Sequence, residues 1–183
     1  MLRPFLPSDF EALHAIHGDE ANARWLYNDA PSPGETRELL ALKAAGSALR
    51  GEGEWLSAAV ELRATGELVG DISLLWASVP HRQGELGFAF HRAYHGNGYA
   101  TEAAWPMLAF AFEVVGLHRV IGRLEPRNRG SARVLEKLGM RQEAHLVENE
   151  WVKGEWQSEL VYALLASEWR DGSAGTERGD DRY

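Results

Sequence analysis

Two glycines one residue apart, in His95-Gly96-Asn97-Gly98-Tyr99-Ala100, stand between an alternating stretch that ends at Phe90 and a helix-forming stretch that begins at Tyr99. Glycine allows the backbone to turn so that successive N–H groups point into one concavity. A helix N-terminus adds unpaired donors and about half a positive charge. Such an anion site suits a pyrophosphate. The loop has no lysine and no GKS or GKT ending, which excludes the nucleotide-hydrolase loop, and it does not match GxGxxG. Taken alone, the hexapeptide fits equally well a tight turn whose anion site is incidental.

The elements around the loop follow from pattern. Ser8 and Glu11 have capping-box spacing, with Phe10, Leu13 and Ile16 then recurring at helical intervals. Ser32-Pro33-Gly34-Glu35 repeats the device and predicts a helix to about Arg50, with Leu39, Leu40 and Leu42 on or near its buried face. A shorter helix is expected around Glu20 to Tyr27. Strands follow at Trp55 to Arg63 and, after a turn at Thr65-Gly66-Glu67, at Leu68 to Leu75. Glu85 to Phe90 alternates as a strand, and Tyr99 to Val115 reads as a helix that Pro106 should kink. His118 to Leu124 is an apolar strand and Arg129 to Leu138 a helix. Strands near Ala144 to Val152 and Glu155 to Leu165 close the order. This is a mixed α/β domain around one sheet, spanning residues 1–170. Residues 171–183 are rich in Gly, Asp, Arg and Ser and read as a disordered tail.

Bulk properties narrow the function classes. A length of 183 residues suits one domain, and 45% hydrophobic with 25% charged residues is a globular composition. The absence of cysteine excludes disulfides, thiolate metal sites and a cysteine nucleophile, and fits a reducing, cytoplasmic setting. No signal-peptide pattern and no apolar run of about 18 residues is present. A net charge of -8 argues against general nucleic-acid binding and favours a cationic partner such as an amine or a basic peptide.

Three ordered motifs carry a resemblance. GELGFAFHRAYHGNGYATEAA from Gly84, GLHRVIGRLEPRN from Gly116 and SARVLEKLGM from Ser131 resemble the GCN5-related N-acetyltransferases. Within them they are most similar to the branch that acetylates the N-termini of ribosomal proteins. The likeness extends to LRPFLPSDFEALHAI at the start and EWVKGEWQSELVYALLASEW near the end. It implies a mostly antiparallel sheet of about seven strands with flanking helices, splayed between strands four and five. It implies acetyl-CoA as cosubstrate, no metal, an amine-bearing acceptor and, from the family's frequent dimers, a homodimer as one assembly. Phe88, Ala89 and Phe90 would then bond the pantetheine arm and acetyl carbonyl through backbone groups. His95, Gly96, Asn97, Gly98, Tyr99, Ala100 and Thr101 would cradle the pyrophosphate, and Asn128 would contact the cofactor from the next helix.

The chain also departs from the family. His95 replaces the usual Gln or Arg, implying weaker or pH-sensitive cofactor binding. The N-terminus is short, since the family's first strand usually begins several residues earlier, implying a trimmed sheet edge or a start codon assigned late. Many relatives keep a glutamate five residues before the motif asparagine and a tyrosine seven after it, where this chain has Arg123 and Leu135. The ribosomal-protein branch shares those substitutions.

Proton chemistry must therefore come from other groups. An N-terminal amine, with a pKa of about 8, is partly neutral at pH 7, whereas lysine at about 10.4 is not. Glu85, in GELGF, where the branch keeps a glutamate, is the first candidate base, against a salt-bridged strand-end carboxylate. Glu148 and Glu150 are rivals from the acceptor side, expected on one face by alternation. Ser131, where the branch places a proton donor to the thiolate, could instead support the helix start. Glu102 reads as a structural bond near the loop, and His118 and Arg119 as packing or salt-bridge residues. The histidines at 14, 17, 81, 91 and 145 lack metal spacing, and His14 and His17 read as solvated. Trp25, Trp76, Trp151 and Trp156 could wall an acceptor pocket, while Trp55, Trp105 and Trp169 look like core.

Overall fold

The computed structural model describes residues 1–170, so the expectation for 171–183 lies outside the described residues. A seven-stranded sheet runs β1 (Leu2–Arg3), β2 (Trp55–Glu61), β3 (Leu68–Ser78), β4 (Gln83–Phe90), β5 (Arg119–Leu124), β7 (Glu155–Leu165) and β6 (Arg141–Val152). All neighbours are antiparallel except β4 and β5. That parallel pair holds for only three rungs, Gln83 with Arg119, Gly84 with Val120 and Glu85 with Ile121. Beyond Glu85 the two strands separate, which is the expected splay.

Helices cover both faces. On one face, α4 (Tyr99–Ala109) and α5 (Arg129–Lys137) close the main core, with Ile72, Leu74, Leu86, Met107 and Leu108 buried between them and the sheet. On the other, α1 (Phe10–His17), α2 (Glu20–Ala23) and α3 (Pro33–Ala45) build a smaller core around Leu13, Ile16, Leu40 and Ala59. Period-two alternation along β4 divides its side chains between the two. Leu86 and Phe90 enter the main core, and Phe90 lies so close over Gly70 that a Cβ there would meet the ring at 2.4 Å.

Local signals set some element ends and mislead at others. Ser32 caps α3 as its spacing predicts: its Oγ accepts from Glu35 N–H at 3.3 Å, while Glu35 accepts from Ser32 N–H at 2.8 Å. The helix ends at Ala45 rather than near Arg50, because Gly46 caps it, and Leu42 faces solvent at 71% exposure. Ser8 does not cap α1. Asp9 instead accepts from Leu6 N–H and pairs with Arg3 at 2.8 Å, so a tertiary ion pair sets that start. The second helix is one turn, Glu20–Ala23. Helix α4 passes through Pro106, and a π turn at Phe110–Val114 follows it.

His17 is buried, not solvated, and bonds Asp71 at 2.6 Å, because α1 lies against β3. Lys43 of α3 reaches the other oxygen of Asp71 at 2.6 Å. His14 donates to Thr36 at 2.8 Å, since that hydroxyl spends its own proton on the Ser32 carbonyl. Trp169 is core as expected, but Trp55 and Trp105 are partly exposed, Trp105 packing its ring against Trp169. No described helix is long and apolar enough to cross a membrane.

Candidate active site

The loop after β4 has the backbone its glycines predict. Gly96 and Gly98 adopt φ of +81° and +85°, left-handed values that favour glycine, and a Cβ on either would meet nothing within 4 Å. Gly98 caps α4 without a side chain, and the first helical bond runs from Glu102 N–H to Gly98 C=O at 3.0 Å. The N–H groups of Tyr99, Ala100 and Thr101 therefore open into the concavity that the glycines leave clear. Asn97 turns its side chain back onto the Tyr94 and His95 carbonyls at 3.2 and 3.3 Å, bracing the loop. Glu102 is exposed and its carboxylate has no partner among the described residues, so the expected structural bond is not made.

His95 is a brace as well. Its Nε2 donates to the Phe90 carbonyl at 2.8 Å, and Asn22 of α2 donates to the same oxygen at 3.0 Å. The register turns the N–H and C=O groups of Gly87 and Ala89 toward β3 and those of Phe88 toward the splay, where β5 no longer pairs. Phe88 thus offers a backbone donor and acceptor with no partner among the described residues, whereas the Phe90 carbonyl is already held.

Both strands of the parallel pair deliver helix N-termini to one edge of the sheet, the usual ligand edge of such pairs. Asn128 caps α5, its Oδ1 accepting from Ser131 N–H at 3.1 Å. Its Nδ2 and the Ser131 hydroxyl have no partner among the described residues. Ser131 thus supports the helix start through its backbone and keeps its Oγ free. Leu135 is 2% exposed and packs on Gly122, where a Cβ would meet it at 2.7 Å. It is core and cannot supply a proton.

Glu85 sits where the splay begins and is ion-paired, with Arg123 Nη2 3.1 Å from Oε2. The same guanidinium reaches Glu159 of β7 at 3.7 Å. Glu159 is 6% exposed and accepts from the Tyr27 hydroxyl at 2.9 Å. Burial, then the Glu159 carboxylate, pushes the Tyr27 hydroxyl well above its usual pKa. Lys153, in the β6–β7 turn, donates to the Ala23 carbonyl at 2.6 Å and ties the hairpin to α2. Between them lies a small cleft of about 50 Å³, walled by Trp25, Tyr27, Arg123, Glu150 and Glu159.

Glu148 and Glu150 do not share a face. The β6–β7 register slips between Leu146 and Glu150, and Glu148 has φ of +48°, so the bulge breaks the alternation. Glu150 lines the small cleft, while Glu148 lines a neighbouring cavity of about 280 Å³ with His145 and Trp156. Trp76 packs against the main core and lines neither, and Trp151 stacks edge-on against Trp156 on the exposed hairpin. Glu159 and Tyr27 are the groups that the sequence did not single out. Nothing local marked either of them.

Comparison with known proteins agrees with this geometry. A sequence model described as acetyltransferase (GNAT) domain matches residues 1–141. A putative ribosomal N-acetyltransferase of Bacillus subtilis, YdaF, is 31% identical over 104 residues, which is 57% of each chain. Against two other curated Bacillus subtilis N-acetyltransferases, at 40% and 38% identity, the chain spans about half of each relative's length, 50% and 44%. The crystal structure of a GNAT-family acetyltransferase from Bacillus anthracis superposes with a TM-score of 0.82 at 30% identity, covering 91% of this chain and 95% of that one. A spermidine N-acetyltransferase from Vibrio cholerae, solved with CoA and spermine, shares the fold with a TM-score of 0.78 at 21% identity, over 93% and 97% of the chains.

Proposed function

The chain belongs to the acetyltransferase (GNAT) family, and from that premise we propose that it moves an acetyl group from acetyl-CoA to the N-terminal α-amine of a protein or peptide. The observation that carries the cofactor half is the loop: two left-handed glycines with open space above them and three unspent helix N–H groups behind. This cradle fits a pyrophosphate, with Gly96, Asn97, Gly98, Tyr99, Ala100 and Thr101 as its wall and His95 fixing its base to Phe90. Phe88 would bond the pantetheine at the splay through its backbone, and Asn128 Nδ2 would reach it from α5. When bound, acetyl-CoA supplies an activated acyl carbon and a thiolate leaving group.

The chain's own residues then manage charge. Attack requires a neutral amine, and an α-amine, with a pKa of about 8, loses its proton more readily than a lysine. Glu85, oriented by Arg123 where β4 and β5 part, takes that proton directly or through water. As the C–N bond forms and the C–S bond breaks, the unpartnered hydroxyl of Ser131 is available to donate to the departing sulfur. A protein N-terminus as acceptor is supported by the motif order of the ribosomal-protein branch and by the relative named as a ribosomal N-acetyltransferase.

The test follows free thiol release from acetyl-CoA with peptides starting in Ser or Ala, with polyamines, and with aminoglycosides. Turnover of peptides alone supports the reading. Turnover of small amines alone sinks the peptide acceptor, and tight acetyl-CoA binding without any turnover identifies a cofactor-binding sensor instead.

A further inference from the structure

Resting on that reading, we infer that Glu159, held by Tyr27, is the residue that binds the acceptor's ammonium group and selects for it. Among the described residues, Arg123 pairs with Glu85 and Glu159 and lines one cleft with Glu150 and Glu159. Arg123 is committed to Glu85, with Nε at 3.2 Å and Nη2 at 3.1 Å, and stands off from Glu159 at 3.7 Å. Glu150 lines the same cleft, half-buried and without an ionic partner among the described residues. The cluster is therefore short of positive charge where burial makes that deficit costly. Glu159 is the most deeply placed of the three, with its side chain 8% exposed against 16% for Glu85. Glu85 lines neither cavity, whereas Glu159 lines the cleft.

The supports of Glu159 suit a binding group better than a base. Tyr27 donates one hydrogen bond to Oε2 and cannot neutralise the charge, because its proton is held firmly. The carboxylate is thus fixed in position with only a shared cation, the Arg123 guanidinium that sits closer to Glu85. Tyr27 belongs to a segment tied to the sheet by Asn22 on the Phe90 carbonyl and by Lys153 on the Ala23 carbonyl. Tyr27, 56% exposed as a residue, lines the cleft. A primary ammonium entering the cleft supplies the missing charge at Glu159. Glu159 receives the cation and Glu85 takes its proton, which divides binding from deprotonation.

Glu159→Gln tests this, because the amide keeps the shape and the Tyr27 contact while removing the charge. Steady-state thiol release is measured with an alanine-starting tripeptide amide and, in parallel, with spermidine. For whichever amine the wild-type protein acetylates, the acceptor KM rises about tenfold or more, the loss expected of one charge-assisted contact. The KM for acetyl-CoA stays within about twofold, and Glu159→Asp recovers part of the acceptor KM. Tyr27→Phe shifts the acceptor KM in the same direction by a smaller factor. A fall in kcat with an unchanged acceptor KM overturns the assignment while leaving the acetyltransferase reading intact. Equal losses in both KM values and in thermal stability reduce Glu159 to a structural group. No turnover of either amine by the wild-type protein removes the functional reading, and this inference with it.

Discussion

Glu85 and Arg123 face each other across the end of the parallel β4–β5 pair, with Nη2 3.1 Å from Oε2. The family pattern puts a glutamate at the position Arg123 occupies, so here the cation stands on β5 and the carboxylate on β4. Ile121 is the last β5 residue paired to β4, opposite Glu85, and Arg123 lies two residues further on the same face. The pair therefore marks the point where the sheet opens.

Replacing Glu85 by Gln should lower kcat by at least about tenfold, the usual worth of a positioned acid or base. The contact with Arg123 weakens but the amide preserves its shape, so folding is retained. A rate equal to wild type in the thiol-release assay would remove Glu85 as the base.

Ser131→Ala should be milder. The cap on α5 uses the backbone N–H of Ser131, so melting temperature stays near wild type. CoA thiol, with a pKa close to the cysteine value of about 8.5, leaves well without help, and kcat should fall by less than about tenfold. A loss larger than that of Glu85→Gln would make protonation of sulfur the harder step.

Gly98→Ala adds a side chain with room around it, so its cost is purely one of backbone. At φ of +85° an L residue is strained, by about 1–2 kcal/mol. Denaturant unfolding should show that loss, and the KM for acetyl-CoA should rise as the cradle relaxes. Unchanged cofactor KM would mean that the loop does not hold the pyrophosphate.

Asp71 predicts a pH dependence of stability. Burial alone would raise its pKa, but Lys43 and His17 outweigh burial and hold it well below the usual carboxylate range. A depressed acid stabilises above its unfolded pKa, about 3.9, and that stabilisation drains away as pH falls below it. Stability should therefore drop from about pH 5 downward. Asp71→Asn should abolish that part of the slope and cost about 3–5 kcal/mol at neutral pH, because it strands Lys43. Parallel acid-unfolding curves for the two proteins would contradict it.

Much of the frame was legible. Ser32 and Glu35 are three residues apart, and their mutual bonds need nothing beyond the first turn of α3. The glycines at 96 and 98 likewise announce a left-handed loop through their own missing side chains. The cap of α1 was misread because Asp9 owes its role to Arg3, itself held by Glu61 at 2.5 Å. His17 was misread for the same kind of reason, since its burial comes from Asp71, on a strand far along the chain.

The acceptor side shows where local reading stops. Alternation placed Glu148 and Glu150 together, and a bulge set by the β6–β7 register separated them. Tyr27 and Glu159 are 132 residues apart, and neither carries a local signature. The sequence by itself determined the order of helices and strands along the chain, the glycine loop and the family, because spacing, glycine and helix caps act over a few residues. Only the tertiary structure decided which carboxylates share Arg123, because that depends on burial and on distances between strands that no short stretch of chain encodes.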